Sequence, residues 1–251
     1  MATFVLVHGA MHGGWAWREV RARLQRAGHL VFTPTLTGQG ERRGSLTPDV
    51  GVETHVADLT ELLWFEDLRE VHLVLHSYAG ILAGPLAQRA GERLAGVVFL
   101  GSFLAGPGQS LLDVEPAATA ARYRREVAAG DGWRLPASPA FLDLWGVTDP
   151  GLRAWAGPRL TDFPFRCQTD PVAYDPGALD RIRTVYVRHT DPPLESLTRF
   201  HEQALAAGWE TYDLHCGHDM MLADPQATAD LLVRIAEGPP AGPHRDGHPS
   251  A

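Results

Sequence analysis

Short apolar runs of strand length alternate along this chain with longer segments of helical period, and that alternation constrains the fold more than any single residue does. "TFVLVH" (3–8), "HLVFTPT" (29–35), "EVHLVLHS" (70–77), "RLAGVVFLGS" (93–102), "IRTVYVRHT" (182–190) and "WETYDLH" (209–215) are strand-like. Between and after them lie helical patterns at 15–28, 53–66, 78–91, 194–207 and 225–236. Strands that are apolar on both faces and separated by helices must run parallel, because each crossover returns the chain to the same edge of the sheet. The expected fold is α/β, a doubly wound, mostly parallel sheet.

The alternation breaks after Ser102. Residues 103–180 hold helix-like pieces such as "TAARYRREVAAG" between Pro and Gly clusters, with Trp133, Phe141, Trp145, Trp155, Phe163 and Phe165 scattered through them. This stretch reads as a mainly helical insertion rather than another βα unit. At 251 residues the chain suffices for one domain with a real core. One domain over 1–237 is expected, followed by a Pro/Gly-rich tail at 238–251 with the composition of a disordered segment.

Charge and cysteine content narrow the partners. A net charge of -8 gives no basic footprint for nucleic acid or anionic lipid, and no apolar run approaches the ~20 residues of a membrane helix. Neither partner is expected. Cys167 and Cys216 make no disulfide framework and no CxxC zinc pair, and the N-terminus lacks the basic lead-in of a secretory signal. A cytoplasmic protein is expected. All 22 basic residues are arginine, which excludes lysine Schiff-base chemistry and a Walker A phosphate loop.

Against this background the stretch "VLHSYAG" stands out, because Ser77 falls where a buried strand turns directly into a helix. A nucleophile on such a turn projects its hydroxyl at the carboxyl edge of the sheet, in strained backbone geometry that needs small residues two positions away on each side. Ala79 meets that need; Leu75 stands where the motif has glycine. A serine nucleophile needs a base, and "HCGHDMM" puts His218 in the loop after the last strand. The base needs an orienting carboxylate, and "YVRHTDPP" puts Asp191 just beyond the preceding strand. The glycine-rich "HGAMHGG" after the first strand offers backbone N–H groups that complete an oxyanion hole with that of Tyr78.

With "HGAMHGGWAW", "LHSYAG", "VYVRHTD" and "GHDMML" taken together, the sequence resembles the α/β-hydrolase superfamily, in the small branch of plant methylesterases and hydroxynitrile lyases with their bacterial relatives. The resemblance spans most of 3–237. It implies Ser77 as nucleophile, His218 as base, Asp191 as acid, the N–H groups of Ala10 and Tyr78 as oxyanion donors, and 103–180 as a cap over the pocket. The lyases carry threonine after the first-strand histidine and lysine after the catalytic one. Gly9 and Asp219 stand there in this chain, which favours the esterase over the lyase, since a carboxylate repels a leaving cyanide. The acid loop "HTDPPLES" is about one residue short of the family pattern, so Asp191 or Pro192 takes the aspartate position. Asp191 is the only carboxylate there before Glu195.

Other features have plainer readings. His8 and His12, with glycines around them, lie in a loop and not on a helical metal site, and no metal or cofactor is expected. His76 reads as a packing residue, His72 and His189 as structural or surface, and "TGQGERRG" (37–44) as a surface loop near the pocket mouth. Met11, Trp133, Phe141, Trp145, Trp155 and Met220 are the candidate pocket residues. The expected activity is cleavage of a small, mostly apolar carboxylic ester or lactone through an acyl-enzyme. The rivals are a natural-product cyclase or C–C lyase using the same dyad as acid and base, and a non-catalytic ligand-binding protein. Relatives in the branch suggest a homodimer, which the sequence itself does not show.

Overall fold

A computed structural model describes residues 1–238. The expected tail at 238–251 therefore lies, but for Gly238, outside the described residues. Six parallel strands form the main sheet: β1 (Thr3–Val7), β2 (Leu30–Phe32), β3 (Val71–His76), β4 (Leu94–Leu100), β7 (Thr184–His189) and β8 (Glu210–Leu214). Their order is β2-β1-β3-β4-β7-β8, and every pairing is parallel. Two short strands of the insertion, β5 (Arg134–Leu135) and β6 (Phe163–Pro164), pair antiparallel as a separate ribbon.

The helices follow from the crossovers. α1 (Arg18–Arg26) links β1 to β2, and α2 (Val52–Phe65) carries the chain back past β1 to β3. Because such crossovers are right-handed, opposite directions of travel put successive helices on opposite faces. Accordingly α1 packs with α10 (Pro225–Glu237), and α2 with α3 (Ala83–Ala90). α8 (Glu195–Ala206) leans on β7 and β8. All six residues of β3 are buried, as expected of a central strand covered on both faces. Each such aliphatic side chain contributes roughly 1.5–3 kcal/mol of transfer free energy.

Two helices begin differently from their sequence patterns. The segment read as one helix from 15 starts as a 3₁₀ turn, Gly14–Trp17, and the segment after Ser77 as another, Ser77–Leu82. Each sits where the chain leaves a strand at the carboxyl edge and tightens its first turn to reach the helix axis. The insertion between Leu100 and Thr184 contains α4 (Ala117–Ala129), α5 (Phe141–Leu144), α6 (Pro150–Ala156) and α7 (Arg166–Thr169), followed after β8 by the short α9 (Met220–Ala223). Asp149 caps α6 by accepting from the amide of Leu152, with Pro150 in the first turn. The strand order reverses between β1 and β3, and open α/β sheets leave a crevice at that point.

Candidate active site

Ser77 follows β3 with φ +54°, a left-handed conformation that costs a non-glycine residue about 1–3 kcal/mol. What holds it there is the close packing of backbone on three sides. Phe103 donates its amide to the Ser77 carbonyl (3.2 Å), and Ser102 Oγ donates to the Leu75 carbonyl (2.5 Å). A Cβ on Gly80 would lie 2.3 Å from the Phe103 carbonyl oxygen, and one on Gly9 would lie 2.8 Å from Ser77 Cβ. The demand for small residues thus falls on Gly9 and Gly80. Leu75 is tolerated because it sits mid-sheet, opposite Val7 and Phe99, with its side chain in the core.

The loop after β1 is fixed by buried polar bonds. Leu36 donates its amide to His8 Nε2 (3.0 Å), which leaves His8 Nδ1–H to donate to the Gly9 carbonyl (2.8 Å). Burial pushes the His8 pKa down to about 3, so the ring is neutral. Met11, at φ +66°, donates its amide to Gln39 Oε1 (3.0 Å) and accepts from the Thr161 amide (2.9 Å). Gln39 is fully buried and donates through Nε2 to the carbonyls of Gly38 and Asp162. The segment 37–44, read from sequence as a surface loop, therefore carries a buried clamp on the oxyanion turn. Arg42 within it bonds Asp58 and the Thr35 carbonyl.

Tyr78 is clamped as well. His55 Nε2–H donates to the Thr37 carbonyl (2.9 Å), so Nδ1 accepts from the Tyr78 hydroxyl (2.9 Å). Burial lowers the His55 pKa to about 4 and keeps this tautomer neutral. His55 and Gln39 are site-supporting residues that no sequence motif exposed. A buried histidine on the apolar face of 53–66 was the only signal.

His218 Nε2 lies 3.0 Å from Ser77 Oγ, in hydrogen-bond contact. Its loop is wedged against the insertion: a Cβ on Gly217 would meet Gly146 Cα at 2.6 Å and the Trp145 carbonyl at 2.7 Å. Asp219 donates its amide to that same carbonyl (3.1 Å), and His76 Nε2–H donates to the His218 carbonyl (3.0 Å). His76 is thus more than a packing residue, because it fixes the backbone that carries the base. Burial holds the His218 pKa well below the ordinary imidazole value, and the adjacent His76, His189 and His12 rings act in the same direction.

Asp191 is not brought to His218. Its side chain is exposed, and its amide donates outward to the Cys216 carbonyl (3.1 Å). The shortened loop turns away immediately after β7, so His189, buried against the His218 ring at a centroid distance of 4.9 Å, occupies the space beside the base. Leu194 donates its amide to His189 Nε2 (3.1 Å), and burial lowers the His189 pKa to about 4. The fully buried carboxylate nearby is Asp219, with Oδ2 3.2 Å from His12 Nε2. Burial alone would lower the His12 pKa, yet the Asp219 carboxylate raises it above the ordinary value.

Ala10, Met11, Ser77, Tyr78 and His218 line one cavity of about 550 Å³. From the insertion come Phe103, Leu111, Leu135, Phe141, Leu144 and Trp145, with Glu115, Arg122, Tyr123 and Gln168 as polar members. Of the expected pocket residues, Met11, Phe141 and Trp145 line it; Trp133, Trp155 and Met220 do not. Trp133 lies under the Arg134 guanidinium, Trp155 packs edge-on against Trp15, and Met220 is fully buried beneath Gly101. Scattered aromatics carry no period, so their facing was not readable. Among the described residues, His76, His218 and Asp219 bring ligating atoms within 4.8 Å of one another.

The model of the alpha/beta hydrolase family matches residues 4–231. The chain belongs to the α/β-hydrolase family. It is 31% identical over 244 residues to a carbendazim-hydrolysing esterase from Nocardioides sp. (strain SG-4G), covering 94% of this chain and all of that protein. Methylesterase 7 of Arabidopsis thaliana is 37% identical over 103 residues, about 40% of either chain. An extracellular α/β-hydrolase from a Paenibacillus species has the same fold, with a TM-score of 0.81 at 20% identity over 93% of this chain and 98% of that one. No helix among the described residues is long and apolar enough to cross a membrane.

Proposed function

We propose that this α/β-hydrolase is a cofactor-independent serine esterase that cleaves a small carboxylic ester or lactone through an acyl-enzyme. The observation that carries the proposal is the 3.0 Å contact between His218 Nε2 and Ser77 Oγ, on a residue held at φ +54° and facing a closed-in cavity. Relatives named as esterases support the ester bond as the target.

Ser77 attacks the substrate carbonyl as its proton passes to His218 Nε2. The oxyanion forms against the N–H groups of Ala10 and Tyr78; Gln39 holds the Met11 amide next to the first, and His55 holds the Tyr78 hydroxyl. His218 then gives its proton to the leaving alcohol and activates water for deacylation. A depressed pKa keeps the imidazole neutral and ready as a base at neutral pH. Leu111, Leu135, Phe141, Leu144 and Trp145 supply an apolar wall for a mostly apolar substrate, while Glu115 and Gln168 offer polar contacts. Gly9 has no room for the threonine of the lyases, which supports hydrolysis over C–C cleavage. Two free cysteines and the acidic composition support a cytoplasmic setting with a small-molecule partner.

The test is intact mass spectrometry after incubation with a fluorophosphonate. A single adduct on the native protein that is absent from Ser77→Ala is expected. A folded native protein that takes up no adduct refutes the acyl-enzyme and leaves the acid–base chemistry of a cyclase or lyase.

A further inference from the structure

The base of this site is missing the partner that a serine hydrolase needs, and the structure holds an equally incomplete group beside it. When His218 Nε2 accepts the Ser77 proton, Nδ1 already carries one, and that N–H needs an acceptor. His218 Nδ1 is buried with no hydrogen-bond partner. Asp219 Oδ1 is also buried and lacks a donor, for His12 addresses Oδ2, and His76 Nε2, 4.0 Å from Oδ1, is spent on the His218 carbonyl. A carboxylate oxygen of Asp219 and a ring nitrogen of His218 lie within 4.8 Å of each other. His76 Nδ1 and His189 Nδ1 are also left without partners in this cluster, but Asp219 supplies its carboxylate, and a small side-chain rotation or a single bridging water would join it to His218 Nδ1.

We infer that Asp219, and not Asp191, is the carboxylate that orients His218 and stabilises its imidazolium. The assignment rests on the serine-esterase reading of the same site. Asp219 takes up no proton in the reaction: the Ser77 proton goes to His218 Nε2 and from there to the leaving alcohol. His12 Nε2, 3.2 Å from Oδ2, partners the fully buried Asp219 carboxylate inside a site where an unpaired carboxylate is costly. The acid thus sits on the residue following His218 rather than in the loop after β7, and His12, in the turn after β1, holds it. Asp219 is a positioning residue, acting on the reacting atoms through His218.

The experiment follows hydrolysis of p-nitrophenyl acetate by the full chain for wild type, D219N and D191N, with circular dichroism on each. D219N is expected to lose about 100-fold in kcat with KM within about twofold, because the carboxylate acts on the imidazolium and not on substrate binding. D191N is expected to stay within about threefold of wild type, the change typical of a surface substitution. A folded D219N at the wild-type rate, or a D191N loss as large as that expected of D219N, overturns the assignment. D219N removes the carboxylate that raises the His12 pKa and takes from His12 Nε2 its ion-pair partner, so H12Q/D219N, which removes both members of the pair, carries the same expectation. The ¹⁵N-edited histidine spectrum supplies a readout independent of turnover. A strongly deshielded His218 Nδ1–H that is unmoved in D191N supports Asp219; its loss in D191N, or its absence from wild type, overturns it. That spectrum decides the matter even in a protein that hydrolyses nothing, whereas failure of Ser77 to form a fluorophosphonate adduct strikes the esterase reading alone.

Discussion

The two sides of the cavity are built on different principles. The sheet side is a lattice of histidines: His8, His12, His55, His76, His189 and His218 are all buried, and five of them lie in strands β1, β3, β7 and β8 or in the loops that follow them. The insertion between Leu100 and Thr184 has no histidine at all, and meets the cavity with Leu111, Leu135, Phe141, Leu144 and Trp145. Imidazole rings that donate on one side and accept on the other set backbone positions to within a hydrogen-bond length, which suits catalysis. Apolar walls give affinity with little directional demand, which suits variation in substrate. Chemistry and selectivity are therefore separated by region, and each can be disturbed without the other.

The largest expected effect is on the sheet side. Ser77→Ala should lower kcat by about 10⁵-fold or more while leaving the thermal midpoint close to wild type, since only the hydroxyl is removed. Turnover and a melting curve on the same sample check both halves. Gly9→Thr comes next. Its Cβ would fall 2.8 Å from Ser77 Cβ and 2.9 Å from His76 Nδ1, so the oxyanion turn must move away. A loss of about 10²–10³ in kcat is expected, the cost of displacing an oxyanion donor. Wild-type rates in that variant would show that the turn after β1 contributes nothing to the reaction.

Acid stability sharpens the same contrast. His8 is held at about 3 and His55, His76 and His189 at about 4, each depressed by burial below the unfolded value of 6.5. Between pH 6.5 and 4 the unfolded chain binds protons at these rings and the folded chain does not. Stability from them is therefore complete above 6.5 and falls as the pH drops toward 4, at about 1.4 kcal/mol per pH unit for each ring. His12 runs the other way: its raised pKa adds stability below 6.5 that is lost as the pH rises through the folded value. Urea midpoints across this range should fall steeply on the acid side, and replacing His8 with a neutral isostere should flatten the slope.

The smallest effects belong to the insertion. Leu135→Ala should raise KM by about tenfold with kcat within about twofold, the size expected for lost methylene contacts in a pocket. Trp155→Ala, outside the cavity, should leave both constants unchanged. An equal response at the two positions would remove the distinction between lining and supporting aromatics drawn above.

Sequence legibility follows the same division. Every strand of the main sheet was readable within two or three residues, because apolar runs bounded by helical periods can satisfy their backbone only as parallel strands. Ser77 and His218 were readable because each lies within four residues of a strand's carboxyl end. Asp191 was read by the same rule and is exposed in the structure, its amide donating to the Cys216 carbonyl. The cap aromatics failed for want of a period.

The sequence by itself determined the α/β class, the strand ends at which polar residues collect, and Ser77 and His218 as the candidate pair, since these depend on local periodicity and on polar residues that interrupt it. Only the tertiary structure decided which carboxylate lies in the cluster with His218, which aromatics face the cavity, and that Gln39 and His55 hold Met11 and Tyr78. Those depend on contacts between segments far apart in the chain, where a shift of one residue in a loop turns a side chain from the core to water and local pattern carries no record of it.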